Sequence, residues 1–184
     1  QQIRALYDQG WLSSAARRSA TARSIWELPN SHTAWVYYSW RLAMSTIKEQ
    51  LITGLNIDLA NEYQAIITYI TYGATVTGIY REEMKEFFMR EVPDELRHAE
   101  YLANKIAALG GMPTTTPVAV PPAADLKQML LNVHRAEEET IARYLERRQQ
   151  AEQLGDFGLV NDLEDIISDE TKHKESIEMI LRGL

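Results

Sequence analysis

The chain has 184 residues, of which 45% are hydrophobic and 24% are charged, and it carries a net charge of −7. This size and balance indicate one folded domain, or one domain with an extension, and exclude a disordered chain. The sequence contains no cysteine, which excludes disulfides, thiolate catalysis, and zinc or iron–sulfur sites held by cysteine. It also lacks a run of about 18 apolar residues, so no membrane-spanning helix is expected.

The beginning of the chain differs in composition from the rest. Residues 1–43 contain all four tryptophans, and five arginines against two acidic residues. We interpret them as an N-terminal extension, either an arm that contacts another subunit or a partner, or a segment foreign to the natural protein. Residues 44–184 form the predicted domain. Because they carry the acidic excess, they are a poor candidate for binding nucleic acid phosphates.

Two helices are predicted before the middle of the chain. Thr46 and Glu49 form a capping-box pattern, after which apolar residues recur at helical spacing as far as residue 70. Glu62 lies inside this apolar stripe, where a carboxylate is costly unless something compensates its charge. A stretch containing two glycines at 73–78 ends the helix. The second helix is predicted from about residue 79 to 109, with a kink at Pro93.

Two more helices are predicted after a proline-rich connector. Residues 112–124 are extended and long enough to cross the length of a helix bundle. The third helix is predicted from an Asp125 cap to Leu154, and the fourth from Asp156 to the end of the chain. The order of short, long and short connections predicts an all-α four-helix bundle with one long crossover between the second and third helices.

The same polar pattern occurs twice, at an offset of 75 residues. The matched pairs are Glu62 and Glu137, Tyr69 and Tyr144, Asp94 and Asp169, Glu95 and Glu170, and His98 and His173. A single Glu-x-x-His on a helix is weak support for a site, but two of them, each preceded by a Glu at the same separation, indicate an internal repeat.

The repeated carboxylates and imidazoles predict a site for two metal ions. On a helix, residues three apart face the same way, so each Glu-x-x-His presents two ligands together. Four buried carboxylates would repel one another unless divalent cations neutralised them. Oxygen and imidazole donors without sulfur suit iron or manganese, and also zinc. The predicted metal-binding and catalytic residues are Glu62, Glu95, His98, Glu137, Glu170 and His173.

The remaining polar residues of the repeat could orient these ligands. Asp94 and Asp169 are each placed to accept the free ring N–H of the histidine from the opposite half, and the alternative is two surface aspartates. Tyr69 and Tyr144 lie two turns beyond the lone glutamates, within reach of the carboxylates, and the alternative is two core tyrosines. His134, one turn before Glu137, is a candidate extra ligand or an ordinary solvated histidine.

These motifs resemble the ferritin-like di-iron superfamily over residues 45–184. The pattern Glu62-x-x-Ala65-Ile66-x-x-Tyr69 and the run from Asp94 to His98 are similar to bacterioferritin motifs. The second Glu-x-x-His, at Glu170, is similar to that of bacterioferritins, rubrerythrins and Dps-like ferritins. The resemblance implies a ferroxidase with two irons per chain, which oxidises Fe(II) with dioxygen or hydrogen peroxide in iron storage or detoxification. It also implies that Glu95 and Glu170 bridge the two metals.

Several departures from the family limit this comparison. Bacterioferritins bind haem through a methionine where this chain has Leu96, so no haem is expected. Eleven residues follow His173, too few for the fifth helix of larger cages, which favours a homo-oligomer of twelve chains or a dimer over one of twenty-four. Without cysteine there is no rubredoxin iron. The sequence leaves open a non-storing di-iron or dimanganese peroxidase, catalase or oxygenase, and a Dps-type DNA-protecting protein. We expect a cytoplasmic location.

Overall fold

The computed structural model describes residues 31–184. Most of the predicted N-terminal extension, residues 1–30, therefore lies outside the described residues. The chain divides into two units, Gln1–Ser45 and Thr46–Leu184, and the second contains all the predicted ligands. Within residues 31–184, no helix combines the length and the apolar character that crossing a membrane requires.

Four helices build the described part of the chain, which confirms the all-α four-helix prediction. They are α1 (Ser31–Thr75), α2 (Arg81–Ala108), α3 (Leu126–Leu154) and α4 (Phe157–Leu181). Pro93 lies inside α2, and the helix continues through it. The connections are short between α1 and α2, long between α2 and α3, and short between α3 and α4, in the order that the sequence predicts.

The start of α1 differs from the prediction. The helix already includes Ser31, the first described residue, so the Thr46 and Glu49 pattern lies in a helix interior and does not cap it. Residues 31–45 contain no glycine or proline, and without such a residue nothing in the local backbone stops the helix from extending toward the N-terminus.

The starts of α3 and α4 follow the predicted caps. The Asp125 carboxylate accepts a hydrogen bond from the backbone N–H of Gln128 at 2.8 Å. The Asp156 carboxylate accepts one from the backbone N–H of Leu159 at 3.0 Å. Each bond satisfies a backbone donor that the first helical turn leaves without a partner. Gly155 ends α3 with a φ of 72°, in the left-handed region that glycine adopts without strain.

The long connector is bound to α1 along its length. The backbone N–H of Thr114 donates to Asn56 Oδ1 at 2.7 Å, and that of Val118 donates to the carbonyl of Ala60 at 3.1 Å. The Tyr72 hydroxyl donates to the carbonyl of Pro121 at 2.6 Å. The backbone groups of an extended segment do not bond one another, so these contacts satisfy part of its backbone and hold it against α1.

Two apolar clusters lie on either side of the predicted ligands along the bundle. One includes Leu51, Leu55, Leu59, Leu102, Ile106 and Leu163. The other includes Tyr72, Phe87, Phe88, Leu130 and Ile177. Burying one such side chain stabilises the fold by about 1.5–3 kcal/mol. The polar layer between the clusters is thus held in place by packing on both sides.

Candidate metal centre

The six predicted ligands lie together and are almost completely buried. Their exposed fractions are 2% for Glu62, 1% for Glu95, 2% for His98, 4% for Glu137, 1% for Glu170 and 8% for His173. All four helices contribute, since α1 and α3 each supply one glutamate and α2 and α4 each supply a Glu-x-x-His. Burying four carboxylates in this way is unfavourable unless cations or protons offset their charge.

The six side chains form two overlapping groups of four donors. The first consists of Glu62, Glu95, His98 and Glu170, and in each group the offered atoms lie within 4.8 Å of one another. The second consists of Glu95, Glu137, Glu170 and His173. Glu95 and Glu170 belong to both groups. A pair of cations in these positions would therefore share the two carboxylates and have one further Glu and one His each.

Both imidazoles turn the same ring nitrogen toward the carboxylates. His98 Nδ1 lies 3.1 Å from Glu170 Oε1 and 3.4 Å from Glu95 Oε2. His173 Nδ1 lies 3.2 Å from Glu170 Oε2 and 3.6 Å from Glu95 Oε1. In this arrangement each Nδ1 is available as a ligand atom, and each Nε2 faces outward.

The electrostatics of the cluster show how strongly it needs positive charge. Burial raises the pKa of Glu95 and of Glu137, and the neighbouring Glu170 carboxylate raises both further. Burial also opposes ionisation of Glu170, but the close imidazoles of His173 and His98 lower its pKa to about 2. For His98, burial works against the charged form, yet the surrounding carboxylates raise the pKa to about 12. Protons on Glu95, Glu137 and His98 thus offset negative charge that metal cations could offset instead.

The donor set fits a pair of divalent cations. Among the described residues, Glu62 Oε2, Glu95 Oε1, Glu170 Oε1 and both ring nitrogens of His98 are buried without a hydrogen-bond partner. Buried polar atoms are normally satisfied. The three carboxylate oxygens and His98 Nδ1 are therefore placed as donors toward a shared centre, whereas His98 Nε2 faces Asp169. Oxygen and imidazole donors without sulfur suit iron, manganese or zinc.

Two buried tyrosines bind the cluster reciprocally across the bundle. The Tyr69 hydroxyl on α1 donates to Glu137 Oε1 on α3 at 2.6 Å. The Tyr144 hydroxyl on α3 donates to Glu62 Oε1 on α1 at 2.5 Å. Burial and the nearby carboxylates raise the pKa of both phenols, so both stay neutral donors. Each tyrosine fixes the orientation of the carboxylate from the other half of the repeat.

Comparisons with known proteins agree with this geometry. A family model described as the ferritin-like domain matches residues 52–184. The chain belongs to the ferritin-like family. Among solved structures, a ferritin-like diiron-carboxylate protein from Bacillus anthracis str. Ames is 50% identical, with a TM-score of 0.73, and the match covers 73% of this chain and 97% of that one. The predicted membership of the ferritin-like di-iron superfamily is therefore confirmed.

A more distant structure shares the fold of this ferritin-like chain. Dps from Thermosynechococcus elongatus is 21% identical, with a TM-score of 0.71, and the match covers 76% of this chain and 94% of that one. At this identity the similarity shows the fold alone. A search of curated proteins returned no match.

In this ferritin-like chain, the three consecutive glutamates of α3 occupy different environments. Glu137 is buried in the cluster, whereas Glu138 and Glu139 are exposed. His134, the candidate extra ligand, lies outside the cluster, because its Nε2 is 3.1 Å from Glu178 Oε1. The structure thus brings together the six residues that the repeat selects and leaves His134 apart from them.

The aspartates of the repeat lie near the expected imidazoles but too far away for hydrogen bonds. Asp169 Oδ2 is 3.9 Å from His98 Nε2, and Asp94 Oδ2 is 3.9 Å from His173 Nε2. Arg97 joins the two aspartates instead, at 2.7 Å from Asp94 and 3.0 Å from Asp169. The aspartates therefore lie beside the histidines as one ion-paired group.

Sequence reasoning missed Glu91. Its Oε2 lies 3.0 Å from His173 Nε2, so it is the nearest carboxylate to the outward nitrogen of that imidazole. Glu91 stands one helical turn before Glu95, and this spacing was the available signal. The repeat pointed away from it, because the residue 75 positions later is Ile166.

Sequence reasoning also missed a buried ion cluster beside Glu62. Asp58, one turn before Glu62, is 1% exposed and accepts a hydrogen bond from Arg143 Nε at 3.0 Å. Arg147 Nε lies 4.0 Å from the other oxygen of Asp58. Burial raises the pKa of Asp58 to about 6, against the opposing effect of Arg147 and Arg143. Gly54 makes room for this group, since a Cβ there would lie 1.2 Å from Arg147 Nη1.

Proposed function

We propose that this chain is a ferroxidase, which binds two irons within its bundle and oxidises Fe(II) with dioxygen or hydrogen peroxide. The observation that supports the proposal is the pair of overlapping four-donor groups that share Glu95 and Glu170. Two equal cations held by shared carboxylates suit a reaction that removes one electron from each of two metal ions at once.

The residues divide the work according to their positions. Glu62 and His98 hold one ion, Glu137 and His173 hold the other, and Glu95 and Glu170 reach both. Tyr69 and Tyr144 keep the two lone carboxylates turned inward. The apolar clusters on both sides limit the access of water to the layer of ligands. Fe(II) supplies the electrons when it is bound, and its oxidation product serves iron storage or detoxification.

The depth of the site is equally compatible with a second candidate function. All six donors are at most 8% exposed, and such burial suits ions that stay bound as well as ions that leave. A di-iron or dimanganese peroxidase, catalase or oxygenase would keep its two metals through every turnover. A storage protein and an enzyme that keeps its two metals differ in how much iron they accumulate.

Iron retained per chain separates the two functions. Metal-free protein receives excess Fe(II) in air, passes through a sizing column, and is assayed for iron and for assembly size. Retention of tens of irons per chain in a large oligomer would support storage. About two per chain with rapid oxidation would support an enzyme that keeps its metals. Binding without oxidation by dioxygen or hydrogen peroxide would contradict the ferroxidase proposal.

A further inference from the structure

The ion cluster of Asp58, Arg143 and Arg147 lies beside one of the two donor groups. Asp58 stands one helical turn before Glu62 on α1, and the two arginines flank Tyr144 in the sequence of α3. The Tyr144 hydroxyl donates to Glu62 Oε1 at 2.5 Å. Burial and the Glu62 carboxylate raise the pKa of Tyr144 most, and Asp58 raises it as well. The cluster is therefore next to the donor group that contains Glu62, which we call the Glu62 position.

The donor group that contains Glu137, here called the Glu137 position, has no such cluster. An offset of 75 residues relates the three members of the ion cluster to three uncharged residues, Val133, Thr68 and Tyr72. Val133 and Tyr72 pack in an apolar cluster. The surroundings of the Tyr69 contact with Glu137 thus lack the charges that surround the equivalent contact at the Glu62 position.

The ion cluster carries one net positive charge, because two guanidinium groups face one carboxylate. Asp58 is 1% exposed and Arg147 is 6% exposed, and Arg143 is half-buried. Arg147 Nη2 also contacts Glu146 Oε2 at 2.5 Å, but Glu146 is exposed and solvent screens its charge. Solvent screens the buried groups much less, so their net charge acts on the neighbouring donor group.

The Glu137 position has a negative charge beside it instead. Glu91 Oε2 lies 3.0 Å from the outward Nε2 of His173, which belongs to this position. The ion-paired aspartates of α2 and α4 lie 3.9 Å from one imidazole each and do not distinguish the two positions. The two positions therefore have matching donors, with extra positive charge beside one and extra negative charge beside the other.

We propose that the ion cluster makes the Glu62 position the weaker of the two metal positions, so that divalent cations fill the Glu137 position first. Net positive charge repels a cation at the Glu62 position, and Glu91 attracts one at the Glu137 position. The three residues of the cluster act through their charge and set the order of loading. The inference rests on the two-metal site of the proposed function, but it does not require that iron is oxidised.

A first experiment assigns the two steps of an anaerobic Co(II) titration. We expect two steps in the unchanged protein, with affinities that differ by about 10-fold or more. Glu62→Ala removes a donor from the Glu62 position alone, and Glu137→Ala removes one from the Glu137 position alone. Glu62→Ala should keep the tight step, and Glu137→Ala should keep the weak step.

A second experiment changes the charge of the cluster in both directions. Asp58→Asn adds one positive charge and should weaken the weak step about 10-fold. Arg147→Gln removes one and should strengthen the same step about 10-fold. The double variant restores the original net charge, so its weak step should return to within about 2-fold of the unchanged protein. Titration at pH 8 keeps Asp58 charged, since burial raises its pKa only to about 6 against the two arginines.

Arg148→Gln is the matched control, because it makes the same substitution at the next residue of α3. The Arg148 guanidinium pairs with the exposed Glu164 and Glu152, so this variant should leave both steps unchanged. Thermal melting shows which variants fold. Arg143→Gln removes the same charge from a half-buried side chain and takes the place of Arg147→Gln if that variant does not fold.

The opposite signs separate an electrostatic role from a structural one. If the cluster only supported the fold, both single variants would shift the weak step in the same direction and the double variant would be the weakest. That result would overturn the inference, as would one class of equal Co(II) sites, loss of the tight step in Glu62→Ala, or unchanged affinities in folded variants. The expected pattern in a protein that never oxidises Fe(II) would support the inference and reject the ferroxidase function.

Discussion

The two halves of the bundle carry the same ligands in different surroundings. Each half supplies a glutamate, a Glu-x-x-His and a tyrosine at an offset of 75 residues. Around them the halves differ. Asp58 in the first half corresponds to Val133 in the second, and Glu91 corresponds to Ile166. The first half therefore has carboxylates at two positions where the second half has apolar side chains. Asp58 lies one turn from Glu62, and Glu91 contacts His173 of the second half.

This difference teaches which parts of a repeat are constrained by chemistry. Two like cations need equal sets of donors, so the ligands repeat. The residues behind the ligands need only fill space and satisfy their own charge, so they can diverge. Val133 packs in an apolar cluster, whereas Asp58 needs Arg143 and Arg147 to offset its burial. The two metal positions are thus alike in donors and unlike in environment.

The largest effect should come from a carboxylate that both halves use. Glu170→Ala removes a donor from both groups, whereas Glu62→Ala removes one from a single group. We expect Glu170→Ala to lose stoichiometric Co(II) binding and to oxidise Fe(II) only at the background rate. Glu62→Ala should still bind about one ion per chain. Co(II) titration and stopped-flow Fe(II) oxidation measure both properties.

The matched control is Glu139→Ala, which removes an exposed glutamate on α3 and should behave as the unchanged protein does. Thermal melting of the metal-free proteins checks folding. Glu170→Ala should melt at a lower temperature, because it removes the carboxylate nearest to Nδ1 of both buried imidazoles. A single cooperative transition would still show that the variant folds. Two Co(II) ions and full oxidation in Glu170→Ala would contradict the assignment of the site.

The second effect concerns the ion cluster of Asp58 with Arg143 and Arg147, which has no counterpart at Val133. Gly54→Ala places a Cβ within 1.2 Å of the present position of Arg147 Nη1, so the guanidinium must move away. Asp58 then stays buried with Arg143 as its one remaining cation. We expect the free energy of unfolding to fall by about 1–3 kcal/mol, as for other overpacked sites. Urea unfolding of the metal-free protein measures the change.

Gly73→Ala is the control for this prediction, since it makes the same substitution in the same helix. A Cβ at Gly73 would meet its nearest neighbours at an ordinary 3.6 Å. Replacing glycine by alanine inside a helix stabilises it by about 0.5–1 kcal/mol. If Gly54→Ala were as stable as Gly73→Ala, the present position of Arg147 would contribute nothing to the stability of the fold.

The sequence alone was sufficient for the features that depend on local chemistry. Asp125 and Gly155 mark the two ends of α3, and Asp156 marks the start of α4. Few residue types can cap the start of a helix or adopt the left-handed conformation at its end, so these positions are visible in the sequence. The grouping of Glu137 with the other five candidate ligands followed from the repeat, since its neighbours Glu138 and Glu139 break the offset.

Other features depend on neighbours that sequence spacing does not reveal. Thr46 and Glu49 carry a start signal for a helix, but residues 31–45 contain no glycine or proline and the helix runs through the signal. Asp58 looks like an ordinary helix residue until α3 brings Arg143 and Arg147 against it. Glu91 lies at helical spacing from Glu95, as many exposed glutamates do, and only the position of α4 brings His173 to it.

Glu91 provides the smallest and sharpest test of how the halves differ. Its carboxylate lies 3.0 Å from His173 Nε2, whereas the nearest such contact of His98 Nε2 among the described residues is Asp169 at 3.9 Å. A carboxylate at the outer nitrogen orients the imidazole and strengthens it as a ligand. Glu91→Gln should therefore weaken one of the two Co(II) binding steps by about 10-fold and leave the other unchanged. Glu100→Gln, an exposed change on the same helix, should alter neither step. Equal weakening of both steps would mean that Glu91 acts through the general charge of the site, and its contact with His173 would then not distinguish the two metal positions.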